Sequence, residues 1–390
     1  MSDPVRHPGE LRWETRLLGV VTATLVAFGI ATVYGASSLV RTKEGGIVGG
    51  SFALIQFTGA LVGGILMLTL SRMDYRRLRP LAWPLMLTSI LLLIVIILPF
   101  TPGAIAPRLN GARRWLQLGP MRLQVSELAR LAVIVWCAML ATKKGDQIRE
   151  FKKGVTPFLV ILGITSLLIL LEPNMSMAVL VALLGGIVLF TAGAKIGHFL
   201  LLGSAAVIGG LQLIQLAGYR AERLNKFLNG AGGTDQIYQS LVGIGSGGIL
   251  GVGFGQGQQK MGYLPYGYSD FIFSAIGEEW GFLGILFIVL LYGIFCWLGF
   301  RIARTAEDPF GQYLATGLTA MVGVTALMHM FVTLNLMPTT GLTLPFLSSG
   351  RSSLVVSLAA VGILLSVGRM RGKAATPRRS EAVSARRVVS

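Results

Sequence analysis

The stretch "YLPYGYSDFIFSAIGEEWG", residues 263–281, sets Asp270, Glu278 and Glu279 beside an apolar run, in a chain of 390 residues with only 17 Asp and Glu. A carboxylate where a loop gives way to a helix can cap that helix, since Asp is among the residues preferred there. It can also accept a proton from a substrate hydroxyl as a general base. The two roles are compatible, because a cap fixes the side chain. Glu278 and Glu279 lie about two turns deeper, where carboxylates are costly and face a cavity or a partner. As neighbours they point about 100° apart on a helix and are not expected to face the same cavity.

Cations supply the second half of a candidate site. "NGARRWLQLGPMRLQVSELAR", residues 110–130, carries Arg113, Arg114 and Arg122 around Trp115. These residues suit an interfacial anchor or, because arginine binds phosphate bidentately, a diphosphate. Glu127 and Arg130 are three apart on the helix that follows and share a face, which allows an ion pair. Arg220, Arg223, Lys226 and Lys260 fall in 218–271, the longest stretch that spans nothing, and long ordered loops tend to be functional. The segment "LMPTTGLTLPFLSSGRSSL", 336–354, breaks an apolar pattern with prolines, glycines and hydroxyls, Ser348 and Ser352 among them. Such backbone at membrane depth is tolerated only when it is buried in protein or lines a wet cavity. A re-entrant loop lining a site is expected there. The glycines of "SLVGIGSGGILGVGFGQGQQKMGYLP", 240–265, imitate a nucleotide loop, but no strand precedes them. Close packing of short amphipathic segments against the membrane surface explains them better.

These residues must be held by membrane-spanning helices. Mean hydropathy is +0.70 and 53% of residues are hydrophobic, and about 20 apolar residues span a bilayer. Ten spans are read, at 17–40, 49–70, 81–100, 124–141, 156–171, 175–193, 197–217, 272–300, 312–334 and 352–369. The expected fold is an all-α polytopic membrane bundle, with a large extracytoplasmic loop between the seventh and eighth spans and the re-entrant loop before the tenth. Around the 17–369 bundle, 1–16 is a cytoplasmic segment and 370–390 a disordered basic tail near anionic lipid. The first apolar run is long enough to remain as an anchor rather than a cleaved signal. Net charge is +17, yet its placement argues against nucleic acid. With the N-terminus cytoplasmic, inside segments hold 22 Lys and Arg against 11 outside, which makes both termini cytoplasmic. The external cations oppose that rule, so an anionic ligand at the outer face is expected. Cys137 and Cys296 fall inside spans and form no disulfide framework; the scattered His7, His198 and His329 suggest no zinc site.

Taken in order, "GARRW", "LQVSELAR", "EPNMSMA", "YRAERL", the glycine-rich segment running into "LPYGYSDFIFSAIGEEWGFLG", and "PTTGLTLPFLSSGRSSL" resemble the SEDS family (shape, elongation, division and sporulation) across about 17–369. "GARRW" and "GLTLP" are more similar to its cell-division branch than to its elongation branch. The resemblance implies a ten-helix glycosyltransferase of the inner membrane, placed at the division septum, that polymerises lipid II into peptidoglycan. It also implies a class B penicillin-binding protein as partner, with other divisome proteins. By motif, Asp270 matches the family's essential acid, while Glu127 and Arg130 match a functionally important Glu and Lys. The sequence departs from the family pattern at Val125, Arg130, Asn174, Ser176, Val252, Tyr266, Tyr268, His329 and Arg351, mostly by losing polar groups around the cavity. In this reading Asp270 is the general base, and Arg113, Arg114, Arg130, Arg220 and Lys260 are candidates to neutralise the undecaprenyl diphosphate leaving group, with Ser348 and Ser352 contacting substrate. A divalent cation, Mg2+ or Mn2+, is compatible with this chemistry, although no ligand cluster demands one. A lipid II flippase, an elongation polymerase and a non-catalytic scaffold are the competing readings.

Overall fold

Lipid offers no hydrogen-bond partners, so a chain this apolar must satisfy its backbone internally, which helices do within one segment. The computed structural model describes residues 12–38, 49–109, 112–119, 121–215, 218–229 and 236–371. The expected N-terminal segment up to residue 11 and the basic tail from 372 lie outside the described residues. Five helices precede the first tight turn between spans: α1 (Arg12–Ser37), α2 (Gly49–Arg72), α3 (Leu78–Ile97), α4 (Val125–Lys144) and α5 (Thr156–Leu171). Then come α6 (Met175–Thr191), α7 (Ile196–Gln215), the short α8 (Gly218–Asn229) and α9 (Gln236–Ser246), α10 (Ile272–Arg304), α11 (Pro309–Thr333) and α12 (Arg351–Met370). Among the described residues eight helices are long and apolar enough to cross a membrane. The sixth and seventh expected spans are helices too, but shorter apolar ones, α6 and the Ile196–Gly210 part of α7. The protein is an all-α membrane protein, with α4, α11 and α12 buried on most of their faces.

Two features were not read from the sequence. The connection between α3 and α4 folds into two antiparallel ribbons, β1 (Arg108–Leu109) with β2 (Ala112–Arg113) and β3 (Trp115–Leu118) with β4 (Met121–Gln124). The positive φ of Gly119 makes the tight turn between β3 and β4. The second feature is a break in α10 at Gly281, with φ 65° and ψ −162°. The glycine-rich segment inserts there. Phe282 and Leu283 donate to the carbonyls of Gly248 and Ile249, and Val252 and Gly253 donate to those of Glu278 and Glu279. Four backbone groups left without helical partners are thus satisfied by one loop, roughly 13 Å from the start of α10 at 1.5 Å per residue. The segment therefore enters the bundle instead of lying on the membrane surface.

The carboxylates of the opening stretch reinforce this splice. Glu278 accepts from Gln258 N–H (2.6 Å) and Gln259 N–H (3.2 Å), while Glu279 pairs with Lys260 (3.7 Å). Both acids are buried and face the same segment, which wraps far enough to meet two adjacent directions. A second wedge runs from α11 to α12. Its Phe346 carbonyl accepts from Gln56 Nε2 (3.3 Å), and Tyr292 hydroxyl donates to Pro345 carbonyl. At the opposite end of the bundle the helices are clasped by charge. Glu14 is buried between Arg301 (2.5 Å) and Arg371 (2.7 Å), Arg76 pairs with Glu307 (2.7 Å), and Tyr75 donates to Asp308.

The splice generates a stability test. A Cβ on Gly251, which sits at φ 83°, would come 2.3 Å from Glu279 carbonyl, whereas one on Gly245 meets nothing within 4 Å. Gly251→Ala should cost at least about 2 kcal/mol through strain and overlap, while Gly245→Ala should be close to neutral. Thermal unfolding of the two variants in detergent micelles checks this. Equal melting temperatures would show that the loop does not dock into the helix break.

Candidate functional site

Asp270 is presented by a strained turn. Tyr266 adopts φ 61°, uncommon for a bulky residue, and its carbonyl gathers the N–H groups of Ser269 (3.0 Å), Asp270 (3.0 Å) and Phe271 (3.4 Å). The N-cap of α10 falls to Phe271, with no side-chain cap bond. The carboxylate of Asp270 is therefore not used to cap the helix. It lines a cavity of about 680 Å³ together with Arg114, Arg223, Tyr266, Ser269 and Thr339. The second wedge closes one wall, where a Cβ on Gly341 would lie 3.8 Å from Asp270 Oδ2. Burial pushes the Asp270 carboxyl above its ordinary value, opposed by the Ser269 hydroxyl, Arg223 and Arg114. A raised carboxyl is the better proton acceptor near neutral pH.

The cationic side of the cavity has three parts. Arg114 leaves the ribbons and donates to the carbonyls of Glu172 (Nε, 3.0 Å) and Pro173, which pins it to the turn between α5 and α6. Arg223, on α8, donates to Thr339 carbonyl (3.3 Å). The first turn of α6 adds backbone N–H groups, since Asn174, Met175 and Ser176 also line the cavity, and a helix N-terminus favours anions. Asn174 Oδ1 caps that helix by accepting from Met177 N–H (3.4 Å), so the Asn at this position keeps the cap. Beneath Arg114 lies Glu172, 1% exposed, with no hydrogen-bond partner on either carboxylate oxygen. Burial lifts it to about 8, against the pull of Arg114.

Of the residues expected to act, Asp270 and Arg114 meet in this cavity, and the others are placed elsewhere. Arg113 points away from it and donates to Leu98 (3.0 Å) and Thr101 (3.3 Å) carbonyls, closing the end of α3. Glu127 and Arg130 form a buried ion pair at 2.5 Å, with Arg130 also donating to Thr325 Oγ1 (3.3 Å), inside the bundle between α4 and α11. Lys260 is buried on Gly35 carbonyl (3.2 Å), Gly255 carbonyl and Glu279. Ser348 and Ser352, expected to contact substrate, are positioning groups instead. Ser348 accepts from Leu344 N–H (2.8 Å) and donates to Ser269 carbonyl (2.7 Å), which ties the second wedge to the Asp270 turn. Ser352 donates to Arg122 carbonyl (2.8 Å) and accepts from Gln124 N–H (3.1 Å), fastening α12 to β4. The side chain of Arg220, on α8, lies outside the described residues.

Residues 15–373 match the family model for the cell cycle proteins FtsW, RodA and SpoVE. The chain belongs to this family. It is 39% identical to a probable peptidoglycan glycosyltransferase FtsW of Trichlorobacter lovleyi, covering 94% of the chain and 96% of that protein. It is also 36% identical to the stage V sporulation protein E of Bacillus subtilis, covering 90% and 96%. Among solved structures, a chain of a peptidoglycan synthase complex that coordinates polymerization and crosslinking superposes with TM-score 0.74 at 28% identity, covering 91% and 98%. The rod shape determining protein RodA of Thermus thermophilus superposes with TM-score 0.67 at 28% identity, covering 91% and 97%.

In this SEDS chain the sequence reading missed Arg223 and Glu172 as residues of or beside the cavity. Arg223 was one of several cations in a long loop, and nothing local marked it out. Glu172 had a usable signal, since it ends a 16-residue apolar helix and a carboxylate at that depth calls for a reason. The contrast between the two adjacent arginines is testable. Arg113→Ala should lower stability by about 1.5–3 kcal/mol, as expected for charge-assisted hydrogen bonds, and leave inorganic diphosphate binding intact. Arg114→Ala should weaken that binding by about ten-fold or more. Thermal unfolding and calorimetric titration of both variants check this; the reverse pattern would remove Arg114 from the site.

Proposed function

We propose that the chain is a peptidoglycan glycosyltransferase that polymerises lipid II during cell division, with the cavity at the outer face of the inner membrane and both termini cytoplasmic. The observation that carries this is Asp270, held on the wall of one cavity with Arg114 and Arg223. Family membership and the FtsW-named relatives support the substrate class. The superposed chain from a peptidoglycan synthase complex supports a transpeptidase partner of the class B penicillin-binding type.

In this mechanism Asp270 takes the proton from the 4-hydroxyl of an incoming lipid II sugar. The freed oxygen attacks the anomeric carbon of the chain's terminal muramyl unit, and undecaprenyl diphosphate leaves from the opposite face with inversion. Charge develops on the departing diphosphate, where preorganised donors stabilise it most. Arg114, Arg223 and the first turn of α6 are those donors. Among the described residues no three His, Cys, Asp or Glu side chains gather to hold a metal. The site is not a protein-only cage for Mg2+ or Mn2+, and each step here is carried by the chain's own groups.

Flipping of lipid II is the second reading, and it needs a path through the far end of the bundle. That end carries the Glu14–Arg301–Arg371 cluster, the Arg76–Glu307 pair and the Tyr75–Asp308 bond, which favours chemistry at one face over transport. The test is Asp270→Asn, assayed with lipid II in complex with the transpeptidase. Loss of a positioned general base should lower polymerisation by about 10²–10⁴-fold, with insertion and partner binding unchanged. Wild-type polymer yield from this variant would overturn the assignment.

A further inference from the structure

Glu172 is a buried acid that the reaction above does not use. It closes α5 beside the cavity, yet its side chain is absent from the cavity wall. Neither of its oxygens has a hydrogen-bond partner, although its own backbone carbonyl and that of Pro173 hold Arg114. An ionised carboxylate without hydrogen bonds or a paired charge is not tolerated at 1% exposure, and such a group takes up a proton instead. A purely structural filler at this position would be apolar. What a protonated acid adds is a second state.

We propose that Glu172 is a positioning residue for the cavity's anion site, a neutral carboxyl that leaves the charge of Arg114 to the ligand and whose ionisation would cancel it. This rests on the reading that the cavity takes a diphosphate. With Glu172 protonated, Arg114 is fixed by two carbonyls that do not neutralise it. Once the proton leaves, the carboxylate and Arg114 form a close opposite pair in a site of low dielectric, where their attraction is strong. Less of the guanidinium's charge then reaches the cavity.

The neighbouring charges leave Arg114 as the partner in question. Helix α5 packs against α3, α4 and α6. No charged residue lies on α6 or on the cavity end of α3, and on α4 Glu127 and Arg130 pair with each other. Arg114 is the one charge that acts on Glu172, and it also acts on Asp270. Both carboxyls are raised, but they have opposite consequences. Asp270 must be ionised to act as a base, so activity is lost as pH falls through its value. Glu172 must stay neutral, so activity is lost as pH rises through about 8. The two together give a bell-shaped profile, with Glu172 as its alkaline limb.

The test uses the purified full-length protein and inorganic diphosphate as the probe, titrated at about pH 7 and about pH 9 for wild type and Glu172→Gln. Diphosphate's own titration is common to both proteins and cancels in their ratio. Wild type should lose about ten-fold more affinity than Glu172→Gln between the two conditions, equivalent to about 1.4 kcal/mol, and the two should agree within about three-fold at the lower pH. The same pH dependence in both proteins, or a larger loss in the variant at the lower pH, would overturn the proposal. Should Glu172→Gln fail to fold, pH-difference infrared spectra of wild type decide. A buried protonated carboxyl band that disappears near the same pH supports it, and its absence at neutral pH overturns it. If diphosphate binding behaves as expected but lipid II is not polymerised, the assigned reaction fails and the role of Glu172 stands.

Discussion

A backbone group inside the bilayer must find its partner within the protein, and this requirement organises the molecule. Where α10 breaks at Gly281, two N–H groups and two carbonyls lose their helical partners. The glycine-rich loop answers each of them, and Glu278, Glu279 and Lys260 fasten the same loop from the side. The second wedge is governed by the same rule, borrowing Gln56, Tyr292 and Ser348 to cover its carbonyls and amides. Asp270 lies between these two wedges. Its position is thus fixed by satisfied hydrogen bonds on both sides, and a group so held does not need to reorganise when a substrate arrives.

Charge is distributed unequally between the two ends of the bundle. At the far end acids and bases are matched in close pairs that tie α1 to α10 and α12, and the turn after α2 to the turn after α10. At the cavity end Arg114, Arg223 and a helix N-terminus converge with one half-buried acid, Asp270. Ion pairs buried elsewhere, such as Glu127 with Arg130, consume their own charge. The cavity is where cationic potential remains for an anionic ligand, and Glu172 lies directly beneath it.

Much of the fold was legible in the sequence because helical spans leave long apolar runs, and all ten expected segments are helices. The break at Gly281 was not legible. Periodicity reads through a single glycine, and only the distant loop that fills the gap makes the break stable. Asp270 could be found because an acid at a loop–helix junction in an oily chain is rare. The basic residues could not be sorted in the same way, since Arg113 and Arg114 are adjacent in sequence and diverge only because of the ribbons that carry them. Ser348 and Ser352 were correctly placed in a lining segment, yet their hydroxyls are taken by backbone groups whose proximity no local pattern reveals.

The account rests on chemistry at one face of a bundle closed at the other. Proteoliposomes holding the chain with its transpeptidase, with labelled lipid II confined to the leaflet facing the cavity, test this most directly. Both glycan polymer and label reaching the opposite leaflet are measured in the same vesicles. The account predicts polymer, with no more transbilayer movement than in protein-free vesicles. Rapid movement of label without polymer would contradict it.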